Sequence, residues 1–203
     1  MFPLPSAVLF PGAVLPLHIF EPRYRELVHD TLAGDGVMAL AQLEPGWESE
    51  YEGRPELSQI CCAGVLGWHE RLKDGRFNII VQGVVRGRVL RELAPRKAYR
   101  EIRVQLLPDP PQPTSRDPLL RQAILEVSGR VSGDAGEALL LAASRTTGGP
   151  LADVVASALV TDVERRQEIL AQLDVDARAQ MVLDELSELI ARMGPGESSG
   201  SPN

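Results

Sequence analysis

From Phe77 to Val89 every second residue is apolar or glycine: Phe77, Ile79, Val81, Gly83, Val85, Gly87 and Val89. A period of two held that long predicts one extended strand with a single inward face. Glycine inside a strand marks a bulge, a bend or the close approach of another backbone. A strand bent at Gly83 and Gly87 suits a small sheet that curls on itself. Just upstream, Lys73-Asp74-Gly75-Arg76 centres Asp-Gly in a hairpin turn, so the extended stretch Leu57–Leu72 pairs back onto it. Val37–Leu43 reads as a buried strand, and Ile102, Val104 and Leu106 alternate with Glu101, Arg103 and Gln105. These pieces make a mainly antiparallel, barrel-like sheet.

The period changes after Pro108-Asp109-Pro110-Pro111-Gln112-Pro113, where four of six residues are proline. Such a run is an extended, semi-rigid spacer. Beyond it the spacing is helical. Asp117-Pro118 opens a helix whose Leu120, Ile124, Val127 and Val131 share a face. Asp134 with Glu137, and Thr161 with Glu164, have the spacing of capping boxes. Gly149-Pro150 opens another helix through Ala158. Asp174 opens the last, striped by Ala179, Val182, Leu183, Leu186, Leu189, Ile190 and Met193. The expected organisation is a β-rich part over residues 1–107, a proline-rich linker over 108–117, a helical part over 118–193, and a disordered Gly/Ser/Pro-rich tail over 194–203.

The stretch Val8–Val28 ties the first part together. Apolar runs Val8–Phe10 and Val14–Leu17 are split by Pro11-Gly12, a turn between short extended segments. Pro22 then suits the first turn of a helix because its missing N–H would be unpaired there. Tyr24, Leu27, Val28 and Leu32 fall on one helical face, and Glu21 stands four residues before Arg25, a favourable pairing order. Residues 16–28, PLHIFEPRYRELV, resemble the signature of the Lon N-terminal (LON) domain, the substrate-binding region of ATP-dependent Lon proteases. Phe2-Pro3-Leu4 with Leu9-Phe10-Pro11-Gly12 fits the same pattern. Downstream, LADVVASALV from Leu151 and RRQEILAQLDVDAR from Arg165 match again, and Gly64–Gly67 with Arg76–Arg88 look like the family's central strands. The resemblance covers residues 1 to 192. It implies an α+β fold, with an N-terminal PUA-like antiparallel β pseudo-barrel holding one helix and a C-terminal α-helical bundle. It also implies a non-catalytic module that recognises unfolded or exposed polypeptide segments, in company with a protease. The motif residues His18, Phe20, Glu21, Pro22, Arg23 and Tyr24 are expected to be mainly structural.

Charge bounds the partners. The net charge is −7, and residues 111–203 carry −6 of it. Nucleic-acid binding needs cations to displace phosphate counterions, so the second half is a poor candidate. The first half holds a basic run, Arg86, Arg88, Arg91, Arg96, Lys97, Arg100 and Arg103. A PUA-like RNA-binding protein is therefore the alternative reading. Glu92 and Glu101 interrupt that run, and Tyr99 is its lone aromatic for stacking on bases. The run reads as a solvated, partly salt-bridged sheet face. Candidate partner contacts are Trp47 and Tyr51, aromatics in the acidic Glu44–Glu56 loop, with Arg86 and Arg88 on one sheet face. No apolar run reaches the ~18–20 residues that cross a bilayer. The N-terminus lacks a basic region ahead of its apolar residues. Two cysteines do not make a disulfide framework, so a reducing, cytoplasmic setting is expected and no membrane partner.

Catalytic, metal and cofactor sites are expected to be absent. Cys61 and Cys62 are adjacent in a strand, so they point to opposite faces and are poorly placed to chelate one ion together. His69-Glu70 followed by Lys73 copies half of a zinc-protease motif but lacks its second histidine. Gly196-Glu197-Ser198-Ser199-Gly200 has the letters of a nucleophile elbow without the strand and helix that chemistry requires. Only two lysines exist, Lys73 and Lys97, and neither follows glycine, so no phosphate-binding loop is present. Full Lon enzymes place a Ser–Lys dyad on a separate domain beyond their ATPase, and this sequence is expected to carry the recognition part alone.

Overall fold

A computed structural model of the chain describes residues 1–50, 53–110, 112–130 and 134–193. In chain order the elements are β1 (Phe2–Leu4), β2 (Val14–Ile19), α1 (Pro22–Ala33), β3 (Val37–Gln42), β4 (Ile60–Arg71), β5 (Phe77–Glu92) and β6 (Ile102–Leu107), with a 3-10 turn at Trp47–Glu50. Helices α2 (Asp117–Ser128), α3 (Asp134–Ser144), α4 (Gly149–Leu159), α5 (Val163–Ala171) and α6 (Val175–Met193) follow. They fall into two units, Met1–Asp109 with Thr161–Leu173, and Pro110–Val160 with the stretch from Asp174 onward. Helix α5, counted within the helical stretch 118–193 in the sequence reading, thus belongs to the β-rich unit.

Strand β5 organises the first unit. One edge pairs antiparallel with β4, from Phe77 opposite Arg71 to Arg88 opposite Ile60. The other edge is shared. β2 takes its first half, with Ile19 opposite Phe77 and Val14 opposite Gln82. β6 takes the second half, with Leu107 opposite Arg86 and Ile102 opposite Glu92. β3 adds antiparallel to β4, and β1 adds parallel to β3. The six-stranded sheet is therefore mainly antiparallel, as expected, with one parallel pair, β1 on β3. A three-residue strand is too short to show alternation, so its direction could not be read. Val8–Phe10, expected as an extended partner, is buried without joining the ladder.

Gly83 explains how that segment is held. The Gly12 N–H donates to the Gly83 carbonyl at 2.9 Å, and the Gly83 N–H donates to the Ala13 carbonyl at 2.9 Å. Gly12 occupies the left-handed region at φ 80°. A side-chain carbon on Gly83 would collide with the Phe10 carbonyl oxygen, a backbone atom that cannot swing aside. Gly83→Ala is therefore expected to cost about 1–3 kcal/mol, the range for overpacking a tight site. Urea unfolding should show a lower midpoint at unchanged slope.

Helix α1 buries Tyr24, Leu27, Val28 and Thr31. Leu32, expected on that face, is exposed instead. The core they enter includes Ile19, Met38, Leu40, Cys62, Phe77, Ile79 and Val81. A smaller cluster of Met1, Ala41 and Cys61 lies with Val89, Ile102 and Val104. At α5 the cap is Asp162, whose carboxylate accepts from the Arg165 N–H at 2.7 Å, rather than the Thr161–Glu164 box.

In the second unit, α2, α4 and α6 bury Leu120, Ile124, Val127, Leu151, Val155, Ala179, Val182 and Leu186. Asp117 joins two loops: its carboxylate accepts from the Thr114 N–H at 3.2 Å and hydroxyl at 2.6 Å, the Gly148 N–H at 2.9 Å, and the Thr147 hydroxyl. Burial works against its charge, and these donors outweigh burial and hold its carboxyl below the usual range. Asp153 and Arg178 form an ion pair at 3.4 Å inside this unit, with both side chains fully buried. Val131 and the 194–203 tail lie outside the described residues.

Candidate functional site

The motif around Pro22 divides by burial. Glu21 accepts from Arg23 Nε at 2.9 Å, and the same carboxylate lies 2.8 Å from the second guanidinium nitrogen. Arg23 also lies over the Tyr24 ring at 4.8 Å, and Tyr24 packs against Phe2 with ring centroids 4.3 Å apart. Pro22 opens α1 as expected. His18 and Phe20 face outward. The His18 ring pairs with Asn78 Oδ1 at 2.8 Å through Nδ1 and stacks on Phe20, which is 60% exposed.

Phe20 borders a larger feature. Strand register puts Val14, Pro16 and His18 on the same sheet face as Gln82, Ile80 and Asn78. The next strand continues that face with Val65, Trp68 and Glu70, and Val37 stands opposite Val65. Val14, Val37, Trp68 and Val84 are exposed, like Phe20. Four strands therefore present an open, largely apolar face, with His18, Asn78 and Glu70 in one row across it and Gln82 between Val14 and Val65. Exposed large apolar side chains gathered on one face are the kind of surface that interaction sites use.

A groove of about 1090 Å³ forms a second feature of the same unit. Its floor is the end of β3 and the start of β4, and its walls are the turn at Glu44–Glu48 and α5. Trp47, half-buried, and Arg88, exposed, both line it. Two of the four sequence-predicted partner residues thus meet at one place. Tyr51 lies outside the described residues.

Arg86 requires a correction. It shares the sheet face of Arg88 but is only 1% exposed, so it is not a partner surface. Helix α5 covers it: Arg86 Nε donates to the Leu170 carbonyl at 2.9 Å, and a terminal nitrogen lies 3.3 Å from Asp109. Strand parity revealed the shared face, whereas the covering helix comes from 80 residues further on. Two further members of the basic run, Lys97 and Arg100, are paired with carboxylates. Arg100 binds Glu92 through two bonds of 2.8 Å, which holds that carboxyl below the usual range. Arg54 reaches Glu92 at 2.7 Å, and Lys97 reaches Asp30 at 2.8 Å. Paired cations have few charges left for a phosphate backbone.

The residues considered for chemistry are dispersed. Cys61 and Cys62 are both free and buried, in the two different core clusters. Burial pushes the Cys61 thiol up to about 11, which leaves little of the nucleophilic thiolate. His69 is exposed near the far end of β4, opposite Ile79. Cys61 is accordingly expected to resist iodoacetamide in the folded protein and to react quickly in denaturant; mass spectrometry of the alkylated peptide reads both rates. Among the described residues, no group of three histidine, cysteine or acidic side chains converges to hold a metal, and no helix is long and apolar enough to cross a membrane.

This mixed sheet with its helical unit is the fold of the N-terminal domains of Lon proteases. The N-terminal domain of Mycobacterium avium complex Lon protease matches with a TM-score of 0.71 at 16% identity, covering 92% of this chain and 96% of that one. A Lon N-terminal domain protein from Xanthomonas campestris matches with a TM-score of 0.68 at 22% identity, covering 90% and 95%. The chain belongs to the family of the ATP-dependent protease La (LON) substrate-binding domain, whose profile matches residues 1–188. Among curated relatives, Lon protease 4 of Sorangium cellulosum (strain So ce56) is 30% identical over 194 residues, covering 94% of this chain. Lon protease 2 of Myxococcus xanthus is 27% identical over 198 residues, covering 92%. The chain spans about a quarter of the length of these relatives, 24% and 23%.

Proposed function

We propose that this chain is a non-catalytic recognition module that captures apolar stretches of unfolded or exposed polypeptide on the outer face of its sheet, and delivers them to proteolysis or quality control. The observation that carries this reading is the open apolar surface of Phe20, Val14, Trp68 and Ile80. Exposing it to water is unfavourable by about 25 cal/mol per Å², and an apolar segment laid across it would recover that energy. The family match supplies the class of ligand. Sharing of β5 between β2 and β6 supports reading the sheet as a PUA-like pseudo-barrel, and the four helices of the second unit as a bundle. Two buried free thiols support a reducing, cytoplasmic setting. A protease is the partner this reading implies.

Binding is expected in the micromolar range and independent of ATP. Fluorescence anisotropy with labelled, reduced and carboxymethylated α-lactalbumin tests it. Phe20→Ser combined with Trp68→Ser should weaken binding at least about tenfold, or ~1.4 kcal/mol, with the thermal midpoint of the chain preserved because both side chains are exposed. Unchanged affinity in that variant would remove the sheet face from the account.

A further inference from the structure

We infer that the groove between the Glu44–Glu48 turn and α5 is a second binding site, taking an extended polypeptide segment that carries arginine or lysine. The inference rests on the reading of the chain as polypeptide-binding, but it concerns a different surface from the apolar sheet face. Its volume of about 1090 Å³ lies above the ~300–1,000 Å³ of pockets that enclose one small molecule.

Two independent observations define the occupant. Gln42 lines the groove and is nine-tenths buried. Its side-chain carbonyl oxygen has no donor among the described residues. A buried acceptor without a donor is costly, and an N–H brought by an occupant relieves it. The second observation is charge. Glu44, Glu48, Asp162, Glu164 and Glu168 line the groove against one cation, Arg88. Glu168 is held by Arg165 at 2.8 Å, and Asp162 caps its helix. Among the described residues, Glu44, Glu48 and Glu164 form no ion pair. Trp47 adds an aromatic surface against which a guanidinium or a lysine stem can lie. Acceptors, unpaired carboxylates and a ring together favour a cationic, donor-rich segment and repel an acidic one. The carboxylates do not converge as metal ligands do, so the charge they attract is spread along a chain.

The test uses the intact chain and two labelled peptides of equal length and apolar content, one bearing arginines and the other glutamates. By anisotropy the arginine peptide is expected to bind at least about tenfold more tightly, and to weaken as salt screens the pairing. Glu48→Gln with Glu164→Gln should lower its affinity about tenfold, and Gln42→Leu should lower it separately. Both variants should hold carboxymethylated α-lactalbumin as the parent does, which shows that they are folded. Equal binding of the two peptides, no binding of the arginine peptide, or no effect of the two glutamate changes would overturn the groove site. If α-lactalbumin still binds in any of those cases, the sheet-face reading stands. If only the arginine peptide binds, the groove stands and the sheet face falls.

Discussion

Arg178→Ala is expected to destabilise the helical unit by about 3–5 kcal/mol, the cost of breaking a buried ion pair from one side. Arg178 on α6 and Asp153 on α4 are fully buried and 3.4 Å apart. Around them Leu151, Ala152, Val155, Ala156, Ala179 and Val182 are buried as well. Removing the guanidinium takes away the cation that faces a fully buried carboxylate. Asp153→Ala should cost a similar amount by stranding the cation. Replacing both, as Asp153→Leu with Arg178→Met, removes both desolvation penalties at once and is expected to cost less than either single change. Domains of this size are stable by about 5–15 kcal/mol in total, so each single change removes a large share. Urea unfolding of the three variants measures it. A double mutant no more stable than either single variant would show that the pair stabilises the fold outright, and a loss equal to the sum of the singles would show that the two side chains are not coupled.

Arg86→Met is the second large effect, also expected at about 3–5 kcal/mol. Its consequence is local. Arg86 donates from strand β5 to the carbonyl of Leu170 in the last turn of α5, where a helix has no backbone donors left for its carbonyls. The same guanidinium meets Asp109. One flat, forked cation therefore binds the end of a helix and the segment that follows β6 at the same time. Arg86→Lys keeps the charge but not the fork, so it should recover only part of the loss. Amide hydrogen exchange should show protection lost first across Val163–Ala171 in either variant. Arg166 bonds the Val8 carbonyl at 3.0 Å, and Gln167 bonds the Ile60 carbonyl at 2.8 Å. These bonds keep α5 attached in part, which is why Arg86→Met should loosen the helix rather than unfold the whole unit.

These two sites also show what the sequence could and could not express. Periodic signals were readable: the β5 alternation, the Asp-Gly hairpin, and the start of α1 at Pro22 all lie within a few residues. Gly83 announced a close backbone approach, although not that the Pro11-Gly12 turn makes it. Alternation also put Arg86 and Arg88 on one face, but parity does not say whether that face meets water. The answer for Arg86 depends on α5, whose helical period shows an apolar side without naming what lies against it. Helical period alone therefore groups Thr161–Leu173 with the helices around it. The same distance hid the groove. Its carboxylates come from Glu44–Glu48 and Asp162–Glu168, each an ordinary solvated run by itself. The outer sheet face is similarly divided: Phe20 belongs to the recognised motif, while Trp68 gains meaning only from strand register.

The most direct test of the account is a map of where polypeptide touches the intact chain. A labelled unfolded polypeptide carrying a photo-activated cross-linker in its apolar segments, followed by mass spectrometry, supplies that map. Cross-links are expected on Val14–Phe20, Val65–Glu70 and Asn78–Val84, and they should disappear with Phe20→Ser and Trp68→Ser. Cross-links confined to the helices of the second unit, or an unchanged pattern in that variant, would contradict recognition by the sheet.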